Sequence, residues 1–404
     1  MKILIVAPLY PPYALGGGGA VISAIAKGLA KRGHRITVLS GCFSEKPFTA
    51  IPQSDCNEGF EIIWIPLLSC LKTQYPQLSA SMPPNIPSLA FLEKMNYDSY
   101  DIIHLSAFGH LIIDCVNVFA KSSNKILTIH GFPKYVGKGG EAILPLKILY
   151  AMFFGTLGRH TINSAKRITA VSSFVANECT MNGIPKDKIT VIPNGVELEK
   201  YRPTEFSELK EEFQLKDNDI VILTIARIAW HKGLEFAIKA VYKVIKLTKK
   251  SIKYVIIGPV DDQIYYSRIV ELIDKLGIKK NVVFTGFLSR KKFQALTRAN
   301  IFLAPSLHES FGLTVLEAMA SGKPIIASNC EGFRSVLEHM KTGIFVEPAN
   351  VEEIANALLL LLSDINLRER LSKNAVSAVQ KYDWKERVAE YERLYEQISF
   401  LSSK

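Results

Sequence analysis

The chain has 404 residues, 48% of them hydrophobic and 22% charged, and a net charge of +11. That profile excludes a disordered or fibrous chain and leaves room for two domains of ordinary size. No apolar run reaches the roughly 18–20 residues of a membrane span, and the positive charge favours anionic partners without choosing among phosphorylated substrates, lipid and nucleic acid.

The six cysteines, Cys42, Cys56, Cys70, Cys115, Cys179 and Cys330, form no C-x-x-C pair and have no histidine cluster beside them. A zinc site is therefore disfavoured, and a reduced, intracellular setting is expected. The apolar stretch from Met1 to Ala7 is too short for a secretory leader and runs into Tyr10 and Tyr13 around two prolines. It reads as a first buried strand.

Lys2–Pro8 is a predicted strand, Gly16–Gly19 a glycine run, Val21–Arg32 a helix and Arg35–Ser40 a second strand. Val21, Ala24, Ile25, Gly28 and Leu29 share one helical face, so the chain opens as a βαβ unit. Gly16, Gly17 and Gly18 let the backbone come close to a ligand at the helix start. A nicotinamide-binding unit would end its second strand on an acid. Here that strand ends in Leu39, Ser40, Gly41 and Cys42, which disfavours a dehydrogenase. Glu61–Ile65 is a short strand, and residues 66–98 read as irregular, with Pro76, Pro83, Pro84 and Pro87. Asp101–His104 and Lys125–His130 are apolar strands that each end in a histidine. Ligands of open α/β sheets lie beyond strand ends, though a lone histidine there also serves the core. Residues 142–154 form an apolar stretch with Lys147 inside. It fits a packed helix of the first domain, or a helix lying on an anionic membrane. Arg167–Ser172 is a strand that leads into a helix, Lys188–Val196 a strand and turn, and 197–218 a polar linker with a first helix.

A second α/β series follows. Strands are expected at Ile220–Ile225, Ile252–Gly258, Asn281–Thr285 and Thr342–Val346. Helices are expected at Leu234–Leu247, Tyr265–Leu276 and Val351–Leu362, with a last one from 382 to about Ser399. Arg227 and Lys232 lie in one loop at a strand end. A planar fork and a point charge together suit a diphosphate, and each equally suits a salt bridge to an acid. Asp261 and Asp262 are adjacent, not spaced as metal ligands, and read as a loop. The pairs Lys249-Lys250 and Lys279-Lys280 and the run Arg290–Lys292 read as solvated faces.

Ala304–Ala327 carries the sharpest pattern. It starts as a strand tail, passes through a loop with Glu309 and Gly312, and enters a helix Leu313–Ser321 capped by Gly322, before Pro324 starts the next strand. The helix is apolar nearly all round, so it should be buried. Glu317 lies within it and needs a partner, since an unpaired buried carboxylate is costly. No Lys or Arg stands three or four positions away. The two hydroxyls of a ribose could serve, and so could a distant Arg. Glu309 reads as a ligand for sugar hydroxyls or as a surface carboxylate. The free N–H groups at the helix start add an anion site beside it.

Glu309 and Glu317, with seven residues between them and flanked by Pro305-Ser306 and Gly322-Lys323-Pro324, resemble the signature of retaining glycosyltransferases of family 4, which have the GT-B fold. The likeness extends to His130-Gly131, to Ile192–Val196, to Arg227 and Lys232, and to the helix opened by Trp384. Ala226 stands where the family usually has Gly, and Asn300 where it commonly has Asp. The resemblance implies an α/β protein of two Rossmann-like domains facing across a cleft. Residues 1–197 would form the acceptor-side domain, with a C-terminal helix, 382–404, packing back on it. Residues 198–381 would bind the nucleotide sugar. Arg227 and Lys232 would then hold the diphosphate, Glu309 the sugar, Glu317 the ribose, and His130 the sugar or diphosphate. Gly16, Gly17, Gly18, Gly258, Gly286, Phe287, Leu288, Ser310, Phe311, Gly312 and Leu313 would complete the donor site. The implied reaction moves a sugar, a hexose by expectation, from a nucleoside diphosphate sugar to a hydroxyl of a glycan, lipid-linked or small-molecule acceptor, with retention. No cofactor, catalytic metal or nucleic-acid partner is expected, and the expected place is the cytoplasm, with a peripheral membrane position left open. The rival readings are a sugar-nucleotide epimerase of the same fold, a donor-binding protein without turnover, and a basic membrane-surface or nucleic-acid binder.

Overall fold

The computed structural model describes residues 1–14, 16–43, 53–55, 59–69, 85–121, 124–132, 136–137, 140–141, 154–201, 213, 215–248, 250–288 and 291–402. The chain divides into two compact units, Met1–Asn194 with Trp384–Lys404, and Gly195–Asp383.

The first unit is built on strands β1 (Lys2–Leu9), β2 (Arg35–Phe43), β3 (Gln53–Asp55), β4 (Glu61–Ser69), β5 (Asn85–Pro87), β6 (Ile102–Ser106), β7 (Lys125–Ile129), β8 (Val136–Gly137), β9 (Gly140–Glu141), β10 (Arg167–Ala170) and β11 (Ile189–Val191). The main sheet runs β11-β10-β7-β6-β1-β2-β4-β3, with β5 also on β4, while β8 and β9 pair by themselves. In the main sheet β3 and β5 lie antiparallel to β4 and the other pairs are parallel. Ile3 to Ala7 are fully buried, as a parallel strand covered on both faces requires. The helices are α1 (Gly17–Lys31), α2 (Leu89–Lys94), α3 (Leu111–Phe119), α4 (Arg159–Ser164) and α5 (Ser173–Met181). Two expectations change here. Helix α1 begins inside the glycine run, four residues before the expected Val21, with Gly16 as its N-cap. Burial of Val21, Ile22, Ile25 and Leu29 outweighs the poor helix propensity of glycine. Strand β4 continues to Ser69, carried by its pairing with β2 and β5. The apolar stretch at 142–154 lies almost wholly outside the described residues.

Among the described residues the second unit has six strands, β12 (Ile220–Ile225), β13 (Ile252–Ile257), β14 (Val282–Gly286), β15 (Ile301–Ala304), β16 (Ile325–Ser328) and β17 (Ile344–Val346), in the order β14-β13-β12-β15-β16-β17, all parallel. Its helices are α6 (Leu234–Leu247), α7 (Gln263–Leu276), α8 (Lys291–Arg298), α9 (Leu313–Ala320), α10 (Glu331–Arg334), α11 (Val351–Ser363) and α12 (Ile365–Val379). Asp262 is a cap: its carboxylate accepts the Tyr265 N–H and starts α7. Asn300 accepts the Val221 N–H at 2.8 Å, so its side chain ties the start of β15 to β12.

The division between the units falls two or three residues from the expected boundaries. The Val196 N–H donates to the Tyr382 carbonyl at 2.8 Å, and Val196 bridges to Asp383. That bond ties both ends of the second unit to each other. The last helix, α13 (Trp384–Ser402), belongs to the first unit. Gly28 of α1 permits its approach, because a Cβ there would lie 2.4 Å from Val388. Glu392 binds Arg32 at 2.5 Å and His34 at 2.7 Å. Tyr395 meets His104 Nδ1 at 2.7 Å, and His104 Nε2 lies 2.6 Å from the Thr128 hydroxyl. Among the described residues no helix is long and apolar enough to cross a membrane.

Candidate active site

In the second sheet the chain winds outward from β12 through β13 to β14, and in the other direction from β15 to β17. The order reverses between β12 and β15. Loops leaving the ends of two such strands diverge and open a crevice. The loop after β12 carries Arg227 and Lys232, and the loop after β15 carries Ser306 and Glu309.

These two loops are stitched together. The Leu307 N–H donates to the His231 carbonyl at 2.9 Å. Gly233 is left-handed at φ +64°, and a Cβ on it would lie 2.1 Å from the Pro305 carbonyl oxygen. Lys232 Nζ reaches Glu309 Oε1 at 2.6 Å, and the buried Ser306 hydroxyl donates to the same oxygen at 3.0 Å. Burial pushes the Glu309 carboxyl up, but the Lys232 charge and the two hydrogen bonds outweigh it and hold the group below its ordinary range. Burial and then Lys232 and Arg227 push His231 down to about 3, so its ring is neutral. Arg227 pairs with Asp261. The two cations expected to await a diphosphate are thus each held by an acid in the same unit. Asp261, read from sequence as plain loop, is the acid that holds Arg227.

Glycine performs different tasks along this edge. Gly258 has φ +154°, and a Cβ would lie 1.9 Å from the Ala226 oxygen, so the loop after β12 can pass only over a glycine. Its N–H donates to the Gly286 carbonyl at 2.9 Å. Gly286 is exposed, Phe287 half-exposed and Leu288 buried. Gly312 is the left-handed N-cap of α9, at φ +111°, and no side chain caps that helix. Its first N–H groups, around Gly312 and the partly buried Leu313, form a ready anion site. Ser310 lies between Glu309 and Phe311. The Phe311 ring is buried 6.2 Å from Tyr382, so that side chain serves the core and not a donor.

Helix α9 buries Val315, Leu316, Ala318 and Met319, as its apolar character requires. The partner of Glu317 is neither a near neighbour nor an Arg. It is Lys292 of α8, with Nζ 2.6 Å from Oε1, so the run Arg290–Lys292 is not simply a solvated face. Local spacing gives no sign of this pair, because 25 positions separate its members. Ser306 was legible only as a motif flank.

In the first unit, Gly16 is the N-cap of α1, and Gly17 and Gly18 form its first turn. A Cβ on Gly16 or Gly18 would meet nothing within 4 Å, whereas one on Gly19 would lie 2.4 Å from Ala14. His130 follows β7, with Nε2 3.4 Å from the Ser106 hydroxyl, and burial pushes its ring down to about 4. His104 is fully buried and pushed to about 3 by burial and then His130. With both ring nitrogens bonded inside the unit, it is a core residue.

Two doubly wound units, one of them with charged loops and an uncapped helix start over its switch point, define the class: GT-B proteins that bind an anionic sugar nucleotide. The profile of the glycosyl transferases group 1 matches residues 205–377, and that of glycosyltransferase family 4 matches 15–200. The chain belongs to the group 1 glycosyltransferases of family 4, enzymes that use nucleotide-sugar donors. It is 29% identical over 397 residues to an uncharacterized glycosyltransferase of Methanocaldococcus jannaschii, covering 95% of both chains. It is 26% identical to the N-acetyl-alpha-D-glucosaminyl L-malate synthase of Bacillus anthracis, covering 98% of this chain and 97% of that one. The fold matches Anabaena HepE, solved in complex with UDP and glucose, at a TM-score of 0.74 and 19% identity over 98% of this chain and 100% of that one.

Proposed function

We propose that the enzyme moves a hexosyl group from a nucleoside diphosphate sugar to an acceptor hydroxyl with retention of anomeric configuration and without a metal or other cofactor. The observation that carries this is the contact of Lys232, Glu309 and Ser306 over the switch point, beside the uncapped start of α9. Without donor, Glu309 is the countercharge of Lys232. A diphosphate would take that place and free Glu309 to accept from sugar hydroxyls. Arg227 would exchange Asp261 for phosphate oxygens in the same way.

As the bond from the anomeric carbon to the diphosphate breaks, negative charge gathers on the leaving oxygens. Lys232, Arg227 and the N–H groups at Gly312 and Leu313 are fixed donors for that charge. Two cations supply the countercharge that a metal would otherwise give. The acceptor hydroxyl attacks from the face the diphosphate leaves, and its proton passes to the departing phosphate oxygen. That path retains configuration. Glu317 holds the ribose; its Oε2 has no hydrogen bond of ordinary geometry among the described residues. For His130 the proposal of a catalytic role rests on its own surroundings: a strand end, a neutral ring and Gly131 after it. The net charge of +11 supports a phosphorylated or lipid-linked acceptor over a neutral one. The use of nucleotide sugars supports a cytoplasmic setting.

A thermal-shift screen over nucleoside diphosphate sugars, starting from UDP-glucose because the Anabaena neighbour holds UDP and glucose, identifies the donor. Proton NMR of the product from an α-linked donor then reads the anomer. An α-linked product at an EDTA-insensitive rate is expected. A β-linked product overturns retention, loss of rate in EDTA overturns metal independence, and stabilisation by no donor overturns the donor reading.

A further inference from the structure

Sugar transfer as derived above gives Glu317 a task but leaves the cation paired with it without one. Lys292, in the first turn of α8, reaches Glu317 Oε1 at 2.6 Å, and the two side chains are only 25% and 15% exposed. The same ammonium stands 5.2 Å from the centre of the Phe293 ring, and Phe293 meets Tyr201 edge-on at 5.0 Å. Tyr201 is buried at the end of the turn Leu198–Tyr201, and burial and then the Glu317 charge hold its phenol well above the usual range. Three separate stretches of chain thus gather around one carboxylate. Its other oxygen, Oε2, is buried with no hydrogen bond of ordinary geometry among the described residues, although the Tyr201 hydroxyl is near enough to interact with the carboxylate. A buried acceptor so weakly satisfied has capacity left for a further donor.

We propose that Lys292 is a positioning residue of the donor site, which holds Oε1 of Glu317 and thereby fixes the orientation in which the carboxylate meets the ribose hydroxyls of the nucleotide. This rests on the reading of Glu317 as the ribose ligand. The terminal torsion of a glutamate is broad, so an unheld carboxylate samples many orientations. An ion pair made before the donor arrives removes that freedom in advance, and less is lost on binding. The ring of Phe293 favours the ammonium of Lys292 in this place. A charge at this point that met phosphate directly would act on every nucleotide alike. One that acts through Glu317 affects only nucleotides that carry the hydroxyls.

The test is calorimetric binding of UDP, GDP and their 2′,3′-dideoxy forms to the wild type and to Lys292→Met, Lys292→Arg and Glu317→Gln. The wild type should prefer the hydroxylated nucleotide by about tenfold, the scale of a charge-assisted hydrogen bond. Lys292→Met should lose about that factor for the hydroxylated form and little for the dideoxy form, and Lys292→Arg should restore most of it. In turnover, the loss should appear in the donor KM and not in kcat. Equal losses for both forms, or full discrimination in Lys292→Met, overturn the positioning role. If Glu317→Gln binds as the wild type does, the ribose reading falls, and this inference with it. If Glu317→Gln loses the preference and Lys292→Met keeps it, only the inference falls. Binding of neither nucleotide to the wild type would remove both.

Discussion

Glu309 is subject to two opposed effects, burial that favours its neutral form and Lys232 with Ser306 that favour its charged one, and the second prevails. Its folded pKa is therefore below the ordinary 4.5, and the pair contributes stability that is fully present above that value and lost as pH falls through the lowered one. Urea unfolding of the wild type and Glu309→Gln across the acid range should show the two curves converging as pH falls below the ordinary carboxylate range. At saturating donor, Lys232→Ala should lower kcat by on the order of a hundredfold, as loss of one fixed donor to a leaving group does, with a melting temperature lowered by only a few degrees. A kcat within a factor of two of the wild type would remove Lys232 from the chemistry. Glu309, Glu317, Arg227 and Lys232 were legible in the sequence because each belongs to a short motif. Their partners were not. Asp261 stands 34 positions from Arg227 and Lys292 stands 25 from Glu317. Such pairs follow from three-dimensional packing, which no local pattern carries.

Among the elements, the parallel strands of both sheets are legible, because parallel strands covered on both faces are short runs of Ile, Val and Leu, whereas the short antiparallel strands β3 and β5 are not. Helix α12 was not read. Its buried residues, Leu367, Leu371, Ala375 and Val379, stand only at every fourth position among polar ones, a narrow stripe that was nonetheless present as a signal. Helix α13 is held by polar groups in an apolar setting. His104 and Tyr395 share one buried hydrogen bond, and burial pushes the histidine ring to about 3. Between the unfolded value near 6.5 and about 3, the unfolded chain binds a proton that the folded one refuses. Stability should therefore fall as pH drops through that window, by up to ~1.4 kcal/mol per pH unit for this one group, and His104→Asn should flatten the slope. Tyr395→Phe leaves His104 Nδ1 buried without its hydrogen-bond partner and should cost about 1–3 kcal/mol by urea unfolding. Gly28→Ala forces a methyl against Val388 and should cost a similar 1–3 kcal/mol, the usual range for overpacking.

At the scale of the whole molecule, each unit has its own sheet and core, so calorimetry should resolve two transitions. A nucleoside diphosphate at a hundred times its Kd should raise the transition of residues 195–383 by about 2.7 kcal/mol of stability. A rise of the other transition alone would contradict the placing of the donor over β12 and β15. The hydrogen bond from Val196 to Tyr382 has a practical consequence for engineering. Because the stretch 195–383 enters and leaves at one bonded spot, it is a cassette: a gene fragment cut at those codons should express as a free-standing nucleotide binder, and the same cuts mark where a cassette from a relative with another sugar preference could be spliced in.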